Sequence, residues 1–168
     1  MSRQNEVLFY TDGRHTSVYI YEPPMDKRLY TAPIDELVDL GIDTIWAYDL
    51  DTASGDISNR RVFASTKDMQ GSPDGSAVDS EGYLWNAMWD GWCLARWAPD
   101  GTLDRKIDLP VQRPTCPMFG GENLDTIYLT CASIFLSDED LAKQPQAGGI
   151  FAITGTGATG LPEPRFAG

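Results

Sequence analysis

Histidine occurs once in the 168 residues, as His15, and cysteine three times, as Cys93, Cys116 and Cys131. One histidine cannot build a histidine-rich metal centre. Three cysteines without close-pair spacing indicate neither a disulfide framework nor a zinc site; they are expected to be reduced and mostly buried. Basic residues are scarce, with 13 Lys and Arg against 25 Asp and Glu, giving a formal net charge of −12. Such a chain repels nucleic acid and anionic membranes, and neither is expected as a partner. No apolar run approaches the roughly 18 residues that a membrane span needs. The opening Met1–Glu6 has no apolar stretch behind Arg3, so no secretory signal is expected and a cytoplasmic setting is.

What the chain does have is 42% hydrophobic residues, enough length for a real core, and a weak internal repeat. A turn followed by a β-prone apolar run occurs at Asn5–Asp12, Glu81–Ala87 and Leu124–Cys131. A second strand-like run follows each, at Thr44–Asp51, Cys93–Gly101 and Gly149–Gly155. Third runs at Asn59–Ala64 and Arg105–Leu109 close the first two units. Leu84 and Ile127 are 43 positions apart (127 − 84), inside the ~40–50 residue period of propeller blades. Aromatic and β-branched residues fill these runs, and Gly, Pro, Asp and Asn punctuate them. The pattern predicts an all-β chain of about three blades of antiparallel strands. Val78, Leu84, Trp85, Leu94, Ile107, Phe119, Ile127, Leu129 and Phe151 are its expected core. Three blades in an open array leave two sheet edges uncovered, which sheet proteins usually avoid.

Two segments stand outside the repeat. Residues 13–43 carry Pro23, Pro24 and Pro33 and a short amphipathic stretch ended by Gly41; they are expected to loop out of a blade as an insertion. Leu136–Pro145 reads as one or two helical turns capped by Ser137, with acidic residues near the N-terminus.

Several motifs occur in a fixed order. They are Asp56-Ile57-Ser58-Asn59-Arg60-Arg61-Val62-Phe63, Ser72-Pro73-Asp74-Gly75, Leu84-Trp85-Asn86-Ala87, Ala98-Pro99-Asp100-Gly101, Leu109-Pro110-Val111, Pro114-Thr115-Cys116, Phe119-Gly120-Gly121, Thr130-Cys131-Ala132, Gly148-Gly149-Ile150-Phe151 and Arg165-Phe166-Ala167-Gly168. Each is weak alone; together the chain resembles the SMP-30/gluconolactonase/regucalcin-like family, over about the second half of that family's length. The resemblance implies a β-propeller, incomplete relative to the family's six blades, spanning residues 1–168. It implies a lactone hydrolase that opens a sugar lactone to its aldonic acid, dependent on a divalent cation. Ca²⁺ is the first choice, with Zn²⁺, Mg²⁺ and Mn²⁺ as alternatives.

In that family a glutamate, an asparagine and an aspartate hold the cation on the propeller axis. The aspartate matches Asp74, which the resemblance implies as metal ligand and as catalytic base toward water. The other two ligands and the sugar-holding residues align before Met1. For substrate contact the chain offers only Asn86, on the same blade as Asp74, and Asp12, which a turn with Gly13 also explains. Pro-Asp-Gly most often forms a plain turn, and Pro99-Asp100-Gly101 serves as the internal control. His15 reads as a solvated loop residue. Trp85, Trp89, Trp92 and Trp97 suit packing between blades better than sugar stacking.

Three readings stand. The first is the gluconolactonase-like enzyme. The second is a truncated propeller, catalytically incompetent, with weak or no cation binding. The third is an esterase or another lactonase on the same scaffold. Oligomeric state is open.

Overall fold

The structure, a computed structural model, describes the backbone of residues 5–11, 16–21, 43–50 and 56–162, with side chains for 43–49 and 56–162. Its elements are β1 (Asn5–Thr11), β2 (Thr16–Tyr21), β3 (Thr44–Leu50), β4 (Ile57–Ser65), β5 (Ser72–Val78), β6 (Leu84–Trp89), β7 (Cys93–Trp97), β8 (Leu103–Asp108), β9 (Pro114–Gly120), β10 (Thr126–Cys131), α1 (Asp138–Lys143) and β11 (Ile150–Ile153). They form three antiparallel sheets, ordered β2-β1-β3-β4, β5-β6-β7-β8 and β11-β10-β9. This is the all-β, three-blade architecture expected.

Within residues 13–43, Thr16–Tyr21 forms β2, antiparallel to β1 with Val7 opposite Ile20. The helix expected near Gly41 lies outside the described residues, as do Asp12, His15 and the closing Arg165–Gly168. α1 falls where the sequence puts it: the Ser137 hydroxyl accepts from the Asp140 amide at 3.1 Å, and Asp138, Glu139 and Asp140 fill the first turn. Among the described residues no helix is long and apolar enough to cross a membrane.

The second sheet sits between the other two. Alternation sends Trp85, Ala87 and Leu94 to one face, where they pack with Phe119, Ile127, Leu129 and Cys131 of the third sheet. Leu84, Met88, Cys93, Ala95 and Trp97 take the other face and meet Ile45, Ala47 and Ala64 of the first. Two covered faces explain why β7 is buried at all of its five positions. Leu84, Trp85, Leu94, Phe119, Ile127 and Leu129 are buried as expected. Val78, Ile107 and Phe151 are only half-buried against the same clusters. Val78 ends β5, while Ile107 and Phe151 lie on the outer strands β8 and β11, where less protein covers them.

One ion network closes the far end of the second sheet. Asp79, with no exposed surface, accepts from the Glu81 and Tyr83 amides at 3.0 Å each and from Trp85 Nε1 at 2.9 Å. Arg96, 4% exposed, donates to Asp79 through Nε at 3.0 Å and NH2 at 2.6 Å. Arg96 also reaches Glu81 at 2.7 Å and Asp104 at 3.2 Å, and its guanidinium lies 3.6 Å from the Tyr83 ring centroid. Burial opposes the charge on Arg96, but the carboxylates outweigh it and hold the pKa above its ordinary value.

Removing one member of a buried pair leaves the other uncompensated. Arg96→Met is expected to lower unfolding free energy by about 3 kcal/mol in urea titration. Glu81→Gln, which alters the exposed partner, should cost less than about 1 kcal/mol.

Candidate functional site

β5, β9 and β2 are the edge strands of their sheets, and β5 lies against both of the others. The inner edges of the three sheets therefore run side by side, and Asp74 stands on the middle one. The approach is close: a Cβ on Gly75 would lie 2.5 Å from the Thr115 carbonyl oxygen and 2.8 Å from Cys116 Cβ. Only glycine lets β5 and β9 come this near.

Asp74 and Gly75 also interrupt the ladder. Pro73 pairs with Met88 and Ser76 with Asn86, so two residues of β5 face the single Ala87 of β6. This is a β-bulge, a device that bends a strand and re-aims a side chain. The half-buried Asp74 therefore sits within a strand, and not in the plain turn that Pro-Asp-Gly most often forms. The control tripeptide behaves differently. Pro99-Asp100-Gly101 is a true turn: the Gly101 amide donates to the Ala98 carbonyl at 2.8 Å, and Gly101 has φ +83°. Thr102 donates to Asp100 through its amide at 3.0 Å and its hydroxyl at 2.7 Å.

Asn86 is wholly buried beneath the bulge. Its Nδ2 donates to the Asp74 carbonyl at 2.8 Å, approaches the Gly75 carbonyl at 3.4 Å and bonds Ser76 Oγ at 2.8 Å. Asn86 Oδ1 is buried with no hydrogen-bond partner among the described residues.

The turns at the end where β5 and β9 begin form a polar rim that the sequence reading did not single out. Asp90 Oδ1 accepts from Gln112 Nε2 at 2.8 Å and from Arg113 Nε at 2.6 Å. Arg113 also donates to the Ile134 carbonyl and lies 5.1 Å from the Trp89 ring centroid. Gln144 Oε1 accepts from the Gln112 amide at 2.7 Å. Asp90 and Trp92 take left-handed φ of +58° and +56° about Gly91. The available signal was Asp90-Gly91 turning opposite the polar pair Gln112-Arg113.

Of the tryptophans, Trp85 and Trp97 are buried between sheets, while Trp89 and Trp92 are half-buried at the rim. Trp85 meets Phe119 edge to face at 6.2 Å. Cys93 and Cys131 are buried, and Cys116 is exposed on β9 because its side chain is on the uncovered face of the third sheet. Burial pushes the Cys93 thiol up and keeps it protonated.

Asp74 offers hard oxygen donors of the kind that a Ca²⁺-like cation takes. Among the described residues no group of three or more His, Cys, Asp or Glu side chains is placed to hold a metal ion.

The sequence profile described as the SMP-30/Gluconolactonase/LRE-like region matches residues 24–133. The chain belongs to this family. The chain is 41% identical over 123 residues to regucalcin of Oryctolagus cuniculus, covering 73% of this chain and 41% of that protein. It is 42% identical over 114 residues to L-arabinolactonase of Azospirillum brasilense, covering 68% of this chain and 37% of the relative. The calcium-binding protein regucalcin from Agrobacterium tumefaciens superposes with TM-score 0.69 at 30% identity, over 76% of this chain and 43% of that one. The SMP-30/gluconolactonase-like chain thus spans about two fifths of the length of the curated relatives it matches.

Two outcomes test this geometry. Gly75→Ala should force β5 and β9 apart and destabilise the fold by about 1–3 kcal/mol, read by thermal or urea unfolding. In the native chain Cys116 should react first with Ellman's reagent, and Cys93 and Cys131 only on unfolding; equal rates for all three thiols would contradict the burial described.

Proposed function

We propose that this chain carries the Asp74 blade of a divalent-cation-dependent lactone hydrolase, opening a sugar lactone to its aldonic acid. The observation that carries the reading is the position of Asp74: a carboxylate at a bulge on the inner edge, in a chain 42% identical to an arabinolactonase over the matched region. The likeness to the calcium-binding Agrobacterium protein supports Ca²⁺ as the cation.

A bound divalent cation would supply Lewis acidity toward the lactone carbonyl. Asp74 would hold it through carboxylate oxygen. The same carboxylate, as general base, would take a proton from the attacking water and return it to the ring oxygen as the ring C–O bond breaks, giving acid and alcohol. The inner edges, closely packed at Gly75, fix the carboxylate on a rigid strand instead of a loop.

Asp74 is the one residue that the family resemblance assigns as a ligand, and among the described residues no group of three or more His, Cys, Asp or Glu side chains is placed to hold a metal ion; this also favours the second reading, a chain that binds cation weakly when tested alone. One ligand leaves most of the roughly six to eight oxygen positions of Ca²⁺ to water. Calorimetry on the purified chain is expected to give a Ca²⁺ dissociation constant on the order of 1 mM or weaker, with lactone opening by pH-stat near background. Asp74→Ala should remove the residual binding. Tight binding with turnover, both lost in Asp74→Ala, would show a complete cage. Binding untouched by the substitution would refute the ligand role.

A further inference from the structure

We propose that Asn86 is a positioning residue for Asp74, whose buried amide holds the β-bulge that sets where the Asp74 carboxylate stands. The inference rests on the reading of Asp74 as a cation ligand and adds how the chain keeps that ligand in place.

Asn86 occupies a position where strand alternation calls for an apolar side chain. Its neighbours on the same face of β6, Leu84 and Met88, are apolar and fully packed. Burying an amide there is unfavourable unless its polar atoms are used. The bulge supplies the use. Two residues of β5 stand opposite one of β6, and Asn86 Nδ2 meets the carbonyls of both, Asp74 O at 2.8 Å and Gly75 O at 3.4 Å. The amide orientation follows from this surrounding: reversed, Oδ1 would face two carbonyl oxygens. Ser76, the direct register partner of Asn86, bonds the same nitrogen at 2.8 Å and fixes the amide plane.

The bulge is thus held from two sides. Asn86 ties its carbonyls from β6, and the Thr115 carbonyl and Cys116 close against Gly75 from β9. Asn86 Oδ1 remains buried and unpartnered among the described residues. A side chain selected for stability alone would not leave that acceptor unused; features that break a local rule cluster at functional sites. Partners that orient a metal ligand control affinity without touching the metal.

The test uses ¹⁵N-labelled chain titrated with Mn²⁺, reading paramagnetic broadening of the Asp74, Gly75 and Ser76 amides apart from that near other surface carboxylates. Asp74→Ala should abolish the local broadening. Asn86→Val should leave a dispersed spectrum and raise the Mn²⁺ concentration for half-broadening about 10-fold. Leu84→Val, on the same face of β6 but away from the bulge, should loosen the core and leave that midpoint unchanged. Local broadening lost in Asp74→Ala but unchanged in a folded Asn86→Val overturns the positioning role alone. Local broadening that survives Asp74→Ala overturns the ligand reading and the positioning role with it. If Asn86→Val does not fold, Ser76→Ala, which frees the amide plane, takes its place: a raised midpoint supports the proposal and an unchanged one overturns it.

Discussion

A carboxylate with no exposed surface organises the middle of this structure. Asp79 collects two backbone amides, the Trp85 indole and two nitrogens of Arg96. The second sheet is covered on both faces, so polar groups within it must find partners inside the protein. Asp79 supplies the acceptor that closes the β5–β6 hairpin and ties it to β7, and through Arg96 to Asp104 on β8. With that end fixed, β5 is anchored beyond its bulge, and the strand can leave the regular ladder at Asp74 and Gly75 without fraying. The structural network and the candidate site thus lie at opposite ends of one strand.

The two Pro-Asp-Gly tripeptides show how tertiary setting decides the use of identical residues. Pro99-Asp100-Gly101 joins β7 to the edge strand β8 as a tight turn, and its glycine lies close against the Phe63 carbonyl of β4. Pro73-Asp74-Gly75 is on an edge strand with a partner on one side and a neighbouring sheet on the other. There the proline tolerates the missing ladder donor at an edge, and the glycine permits contact with β9. The aspartate between them is carried at a bend instead of a turn tip.

Much of the fold could be read from the sequence because alternation and turn residues agree over Leu84–Trp97 and Thr126–Cys131. The Ser137 cap and its acidic first turn were also plain. What could not be read arises from contacts distant in sequence. Pro73-Asp74-Gly75 looks like a turn by residue type, and its strand character comes from pairing with β6 and packing on β9. Cys116 looks like a buried thiol by residue type, yet its side chain points to the uncovered face of the third sheet. For the site, Asp74 could be picked out by resemblance alone. Asn86 was visible only as an amide on the same blade, since its task depends on a bulge that no local spacing announces. The Asp90–Arg113 rim joins residues more than twenty positions apart.

The segment after β11 crosses the far end of the sheets. Gly160 bridges to Asp79, its amide donates to Leu124, and Thr159 meets Ser80 through backbone and hydroxyl. A Cβ on Gly160 would press within 2.2 Å of Phe119 Cβ. Sheets two and three are therefore clamped at both ends, by this strap below and by the glycine contact of β5 with β9 above. The strands that carry Asp74 and Cys116 are thus packed together at two separated points, near Gly75 and near Gly160, so their angle is fixed by contacts at both ends.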